Sequence, residues 1–262
     1  MAYDSSMQQP AIEAIKLVKR FGEVTAVDGV SFTVRRGSIT ALLGGNGAGK
    51  TTTLSIMLGL LLPTSGEARI LGESLVHYRQ RILPRVNFSS PYVDLPQRLT
   101  VRQNLRVYGM LYGVRGLGEK IVRLAHDLEL DDLLERPHRE LSAGQKTRVA
   151  LAKALINDPD VLFMDEPTAS LDPDMADYAR SLLQAYQART GATILMASHN
   201  MTEVERICDD VLMMRRGRIV DQGSPRELLA RYGRKTMEEV FLDIARERHA
   251  HPFGQSGAEA GS

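Results

Sequence analysis

A chain of 262 residues is long enough for one large α/β domain with an appended lobe, or for two modest domains. Its formal net charge of +1 leaves no global field to draw it onto nucleic acid or anionic lipid. The single cysteine, Cys208, excludes an intrachain disulfide, fits a reducing compartment and reads as a small buried apolar residue. The most apolar stretch, Ile56 to Leu62, falls far short of the roughly 20 residues a membrane-crossing helix needs.

In chain order, residues 1–10 lack the basic start and apolar centre of a signal peptide and read as a disordered lead-in. Short β-like runs follow: IEAIKLV, VTAV and VSFTV, with FGE and RRG as turns. SITALLG ends in glycines as a buried strand does. A helix is expected from Lys50, with Leu54, Met57, Leu58 and Leu61 on one face and Pro63 closing it; EARILG is a further strand. From Thr100 to Ile156 the apolar spacing is helical. VLFMDEP and ATILMASH read as buried parallel strands, and VLMMRRGRIV as a hairpin turning at Arg216-Gly217. The order predicts an α/β fold: a P-loop NTPase core built on a mainly parallel sheet, an N-terminal antiparallel β lobe and an inserted helical lobe. The domain is expected over 11–232, with the helical lobe at about 86–157. A charged helix and a disordered tail are expected over 233–262.

The segment Gly44, Gly45, Asn46, Gly47, Ala48, Gly49, Lys50, Thr51 fits G-x-x-x-x-G-K-[ST], and Thr52 follows it. Glycines let successive amide N–H groups turn inward around an anion, where side chains would clash. A helix opening at Lys50 aims its positive end at phosphate. Lys50 adds a point charge, and the Thr51 hydroxyl is a ligand type for Mg²⁺. With Gly at about 7% of residues, a chance match is expected in roughly one chain in a hundred of this length, and this one sits between a strand and a helix as the motif requires. Farther on, Val161 to Met164 lead into Asp165 and Glu166. A buried parallel strand delivers its last side chains to the crevice at its carboxyl end. There Asp165 can join a Mg²⁺ shell, and Glu166 can orient an attacking water or take its proton. Alone, such a strand end reads equally well as solvated acids.

Leu141, Ser142, Ala143, Gly144 and Gln145 narrow the choice. Read locally, Ser142 caps a helix running from Ala143 to about Ile156. The segment also resembles the L-S-G-G-Q signature of the ABC ATPases and lies just upstream of the acidic strand, as it does in that family. The resemblance extends from about Ala11 to Tyr232 and is closest to single-domain exporter ATPases. It implies that Phe21 stacks on adenine, that Ala169 to Asp172 form the D-loop, and that His199, after Ser198, is a switch histidine contacting the γ-phosphate. It also implies a head-to-tail dimer, most simply a homodimer, in which Ser142, Ala143, Gly144 and Gln145 of one subunit face ATP on the P-loop of the other. A separate transmembrane permease completes the implied assembly, on the cytoplasmic face of a membrane, with ATP and Mg²⁺ as nucleotide and ion.

Ala143 replaces the first signature glycine, and Gly45 stands where many relatives carry proline or a charge. The family's Q-loop glutamine has no clear counterpart, so Asn87 to Pro91, with Ser89 and Ser90, is the expected substitute. Phe88, Tyr92 and Leu95 are apolar enough either to line a partner groove or to pack in the core. His77, His126, His138, His249 and His251 match no motif and read as surface residues, and Arg35-Arg36 and Arg215-Arg216 read as solvated turns. Two other functions stay open at this stage: a soluble ABC ATPase acting on nucleic acid or ribosomes, and a nucleotide-dependent binding module without hydrolysis.

Overall fold

The computed structural model describes residues 9–90, 94–168 and 171–246. Strands β1 (Ile12–Phe21) and β2 (Val24–Val34) pair antiparallel. The runs expected as two strands, VTAV and VSFTV, form one, because the Asp28-Gly29 step is absorbed as a bulge with Gly29 at φ 67°. Strand β3 (Ile39–Leu43) leads through a loop into helix α1 (Lys50–Met57). This helix stops well before Pro63, since Gly59 adopts a left-handed conformation (φ 65°) that turns the chain away. Strands β4 (Ser65–Ile70) and β5 (Glu73–Ser74) complete a four-stranded sheet in the order β2-β1-β4-β5.

After the short helix α2 (Arg79–Ile82) comes β6 (Val86–Ser89). The helical lobe, expected from about residue 86, begins after this strand, because β6 pairs parallel with β7 (Val161–Asp165) in the central sheet. The intervening helices are α3 (Val101–Leu111), α4 (Leu117–Asp127) and α5 (Ala143–Ala154). Helix α6 (Pro173–Thr190), strand β8 (Thr193–Ser198) and helix α7 (Met201–Ile207) follow. Strands β9 (Asp210–Arg215) and β10 (Arg218–Gly223) form the expected hairpin, turned by Arg216 (φ 48°) and Gly217 (φ 77°). The six-stranded sheet runs β10-β9-β3-β8-β7-β6, parallel throughout except at β10.

Alternation along the central strands explains their unbroken apolar runs. In β7, Leu162 and Met164 join the hydrophobic cluster on the helical side, while Val161 and Phe163 join the cluster shared with the antiparallel sheet. Ile194 and Met196 of β8 divide from Leu195 and Ala197 in the same way. Both faces are covered, so residues Val161 to Met164 and Ile194 to Ala197 are apolar without a break. Helices α8 (Pro225–Tyr232) and α9 (Met237–Ala245) close the described chain. The helix expected beyond residue 233 as a charged appendage turns Met237, Val240 and Ile244 into the helical-side cluster. Arg215 is not a solvated turn residue, since its Nη1 donates to the Ile244 carbonyl at 2.7 Å, tying β9 to α9. Cys208 is buried, as read, and burial pushes its thiol pKa up.

A buried polar joint fixes the helical lobe to β6. Lys153 of α5 donates to Asn87 Oδ1 (3.1 Å) and to the Phe88 carbonyl (3.0 Å), and Asn87 Nδ2 donates back to the Lys153 carbonyl (3.1 Å). Burial pushes the Lys153 ammonium down to about 8. Its folded pKa thus lies below its unfolded value of about 10.4, and between the two the unfolded chain holds more protons. The burial penalty is therefore full below pH 8 and fades as the pH rises toward 10. Relative to Lys153→Met, the wild-type chain is expected to gain on the order of 2 kcal/mol in unfolding free energy between pH 7.5 and 10, measured by denaturant titration. A pH-independent difference would contradict the buried ammonium.

Candidate functional site

Between β3 and α1, residues 44–49 form a tight loop in which two glycines are required sterically. A Cβ on Gly44 would lie 2.4 Å from the Met214 carbonyl oxygen, and one on Gly49 would lie 2.5 Å from that of Ala26. Gly49 also has φ 105°, a conformation side chains rarely tolerate. Lys50 is buried at the first position of α1, and its Nζ donates to the carbonyls of Gly44 (2.6 Å) and Gly45 (3.3 Å). Burial lowers its pKa, while the charges of Glu166 and Asp165 hold it up. Asn46, Gly47 and Thr51 are exposed, Gly45 and Thr52 half-buried and Ala48 buried.

Asp165 is the last residue of β7, pairing in register with Ala197 of β8. Its carboxyl pKa is raised by burial and by Glu166, and lowered by Lys50. Glu166 then leaves the strand direction with φ 50°, a left-handed conformation that costs an ordinary residue about 1–2 kcal/mol. Its amide N–H donates to the Ala197 carbonyl at 2.9 Å, which holds that turn. The result aims the side chain at the adjacent strand end, where Nδ1 of His199 lies 2.6 Å from Oε1 of Glu166. The His199 side chain is 65% exposed and that of Glu166 13%, so the imidazole projects from an otherwise enclosed acid.

Ser89 and Ser90 line a cleft with Thr51 and Asp165. An alcohol at Thr51, a carboxylate at Asp165 and two further hydroxyls are hard oxygen donors, the type Mg²⁺ takes, and few enough to leave positions for phosphate and water. Of the other residues expected in this region, Pro91 and Tyr92 lie outside the described residues, as do Ala169, Ser170, His249 and His251. Leu95 is core rather than groove, at 4% exposure. Phe88 is half-buried and lines both this cleft and a neighbouring groove.

Ser142 caps α5 and forms a reciprocal box with Gln145: the Gln145 amide donates to Ser142 Oγ (3.3 Å), and Ser142 N donates to Gln145 Oε1 (2.9 Å). Ser142 and Ala143 are exposed, Gly144 and Gln145 half-buried, so the start of this helix is open to an external ligand. Asp172 caps α6 by accepting from Met175 N at 3.0 Å. Phe21 ends β1 at 50% exposure, with the Lys19 ammonium 5.1 Å from its ring centroid. His138, read as a surface residue, is 2% exposed. Its amide N–H donates to the Leu99 carbonyl (2.9 Å), drawing it under the loop before α3, and burial lowers its pKa.

Sequence reasoning missed Glu203. It is 1% exposed, and its carboxylate accepts from Thr168 Oγ1 and Ser198 Oγ. The available signal misleads: an acid three residues past the cap Asn200 matches an exposed capping position, yet this side chain turns inward.

The fold and this constellation define a P-loop nucleotide-binding domain. The chain belongs to the ABC transporter family, whose pattern matches residues 27–169. It is 39% identical over 236 residues to a Nod factor export ATP-binding protein I of Ralstonia nicotianae, covering 89% of this chain and 73% of that relative. It is 37% identical over 247 residues to a probable multidrug ABC transporter ATP-binding protein, YbhF, of Escherichia coli, covering 90% of this chain but 42% of that longer protein. Among solved structures, an ATP-binding subunit of an ABC transporter superposes with a TM-score of 0.83 at 26% identity, covering 90% of this chain and 99% of the other.

Proposed function

We propose that this chain hydrolyses ATP to ADP and phosphate as the peripheral, cytoplasmic-face subunit of an exporter, driving a separate transmembrane permease. The convergence of Lys50, Asp165, Glu166 and His199 at the carboxyl edge of the parallel strands carries this reading. The loop amides and Lys50 bind the phosphates, and the Lys50 charge stabilises negative charge on the transferring group. Glu166 orients the attacking water and accepts its proton, while His199 holds the Glu166 carboxylate and reaches toward the γ-phosphate. Thr51 and Asp165 would hold Mg²⁺, which when bound neutralises phosphate charge. Phe21 offers its exposed ring to adenine. Two copies pair head to tail, so that Ser142 to Gln145 of one and the Asp172 segment border the ATP held by the other.

Export is supported by the relatives, which are named for Nod factor export and multidrug transport. The channel is assigned to another polypeptide, as the family resemblance implies; among the described residues no helix is long and apolar enough to cross a membrane. A groove of about 440 Å³ lined by Leu58, Leu60, Phe88, Leu111 and Tyr112 suits an apolar partner segment, with Leu60 63% and Leu111 75% exposed. The test is copurification of an untagged multi-spanning protein with this chain from detergent. Recovery only with ribosomes or nucleic acid would favour the soluble alternative.

Ser90 is proposed to serve the metal through a bridging water, in place of a glutamine ligand. A bridging water costs up to about 2 kcal/mol of ordering. Ser90→Gln is therefore expected to saturate at lower Mg²⁺ than wild type, and Ser90→Ala at higher Mg²⁺, in a titration of ATPase rate. Superimposable curves would remove Ser90 from the metal.

A further inference from the structure

We propose that Glu203 is a positioning residue for ATP hydrolysis, clamping together the two chain segments that carry Glu166 and His199. Its carboxylate accepts from Thr168 Oγ1 at 2.9 Å and from Ser198 Oγ at 2.8 Å. Thr168 stands two residues past Glu166, with Pro167 between them. Ser198 is the last residue of β8 and immediately precedes His199. One buried side chain thus reaches both segments that hold the 2.6 Å Glu166–His199 contact.

The clamp is braced on both sides. Ser198 Oγ also accepts from the Asn200 amide at 3.0 Å, and Asn200 Oδ1 caps α7 by accepting from the Glu203 amide at 3.2 Å. The segment from Ser198 to Glu203 is therefore a closed loop of hydrogen bonds around His199. On the other side, Thr168 is 6% exposed, and its carbonyl accepts from Leu171 N at 3.1 Å, so the grip extends toward Asp172. Burial raises the Glu203 carboxyl pKa, while the two hydroxyl donors and the Arg180 charge pull it back. An acid is costly at 1% exposure unless it is well paired. Here the pairing is directed at the two strand ends that must keep register, since Glu166 is already turned out of its strand into a left-handed conformation. Without the clamp, both side chains remain but their relative placement loosens, and a misplacement of about 1 Å costs on the order of 100-fold in rate.

The proposal rests on hydrolysis at Glu166, so wild-type ATPase activity is measured first. With saturating Mg-ATP, Glu203→Ala is expected to lose roughly 10–100-fold in kcat, while the KM for ATP moves by less than about threefold. Glu203→Gln keeps the length and one acceptor and is expected to recover at least about tenfold over Glu203→Ala. In a Glu166→Gln background, adding Glu203→Ala is expected to cost little more, because the group being positioned is already gone. A Glu203→Ala protein with kcat within about threefold of wild type would overturn the proposal, as would full additivity with Glu166→Gln. If Glu203→Ala does not fold, Thr168→Val decides, since it removes one donor at constant volume. A kcat drop of roughly fivefold at unchanged KM is then expected, and unchanged kcat overturns the clamp. A wild-type chain without ATPase activity would instead overturn the functional reading, and this inference with it.

Discussion

Lys50→Ala is expected to abolish ATP turnover, with the loss appearing in nucleotide binding as well as in kcat. The Lys50 ammonium is buried in the loop and held by the carbonyls of Gly44 and Gly45. Removing it takes the one cation of the loop from beside two carboxylates, Asp165 and Glu166, whose charges bear on Lys50. The remaining site would then repel a polyanion rather than attract it, and the loop carbonyls would lose their donor. A fall of at least about 10³-fold in kcat/KM is expected from losing both ground-state binding and stabilisation of the transferring phosphoryl. Equilibrium binding of a fluorescent ATP analogue, with phosphate release in the same preparation, reads both parts. Turnover near wild type would remove the loop from the chemistry.

Glu166→Gln is expected to separate binding from chemistry. The amide cannot take a proton from water, which costs about 10²–10⁴-fold in rate. The phosphate cradle and Lys50 are untouched, so ATP affinity is expected to stay within a few-fold of wild type. A site that binds but does not hydrolyse is expected to accumulate the ATP-bound pair. Sizing of Glu166→Gln should therefore show a dimer with Mg-ATP and a monomer without it, while the wild-type chain shows little dimer in either condition. Normal hydrolysis by this variant would take the carboxylate out of its assigned role.

The tight loop between β3 and α1 was legible from sequence because its determinants are local: glycines at fixed offsets, a preceding apolar strand and a following helix. The same holds for Ser142, whose capping box with Gln145 needs only three residues of spacing. Juxtapositions created by strand order were not derivable from local pattern. Glu166 and His199 meet because β7 and β8 are neighbours with Asp165 opposite Ala197, and nothing in either local segment predicts that contact. Burial set by distant contacts was equally hidden. His138 lies in a charged stretch with Arg136, Arg139 and Glu140, yet a backbone bond to Leu99 draws it under the surface. Helix α9 carries Glu238, Glu239 and Asp243, which made it read as charged, while Met237, Val240 and Ile244 at helical spacing pack inward. Asp243 itself is buried against Arg234, whose Nε donates to it at 2.6 Å. Gly59 ended α1 early because a glycine in a helical pattern is tolerated in some contexts and terminates in others, and backbone conformation decides which.

Mixed dimers test most directly whether ATP is hydrolysed in a site split between two copies of this chain. A Lys50→Ala subunit paired with a Ser142→Arg subunit forms one site carrying both defects and one carrying neither. The ATPase rate of verified mixed dimers is predicted to exceed that of either variant alone, approaching about half the wild-type rate if the two sites turn over independently. A rate no higher than that of the parent variants would contradict the split, independently working site.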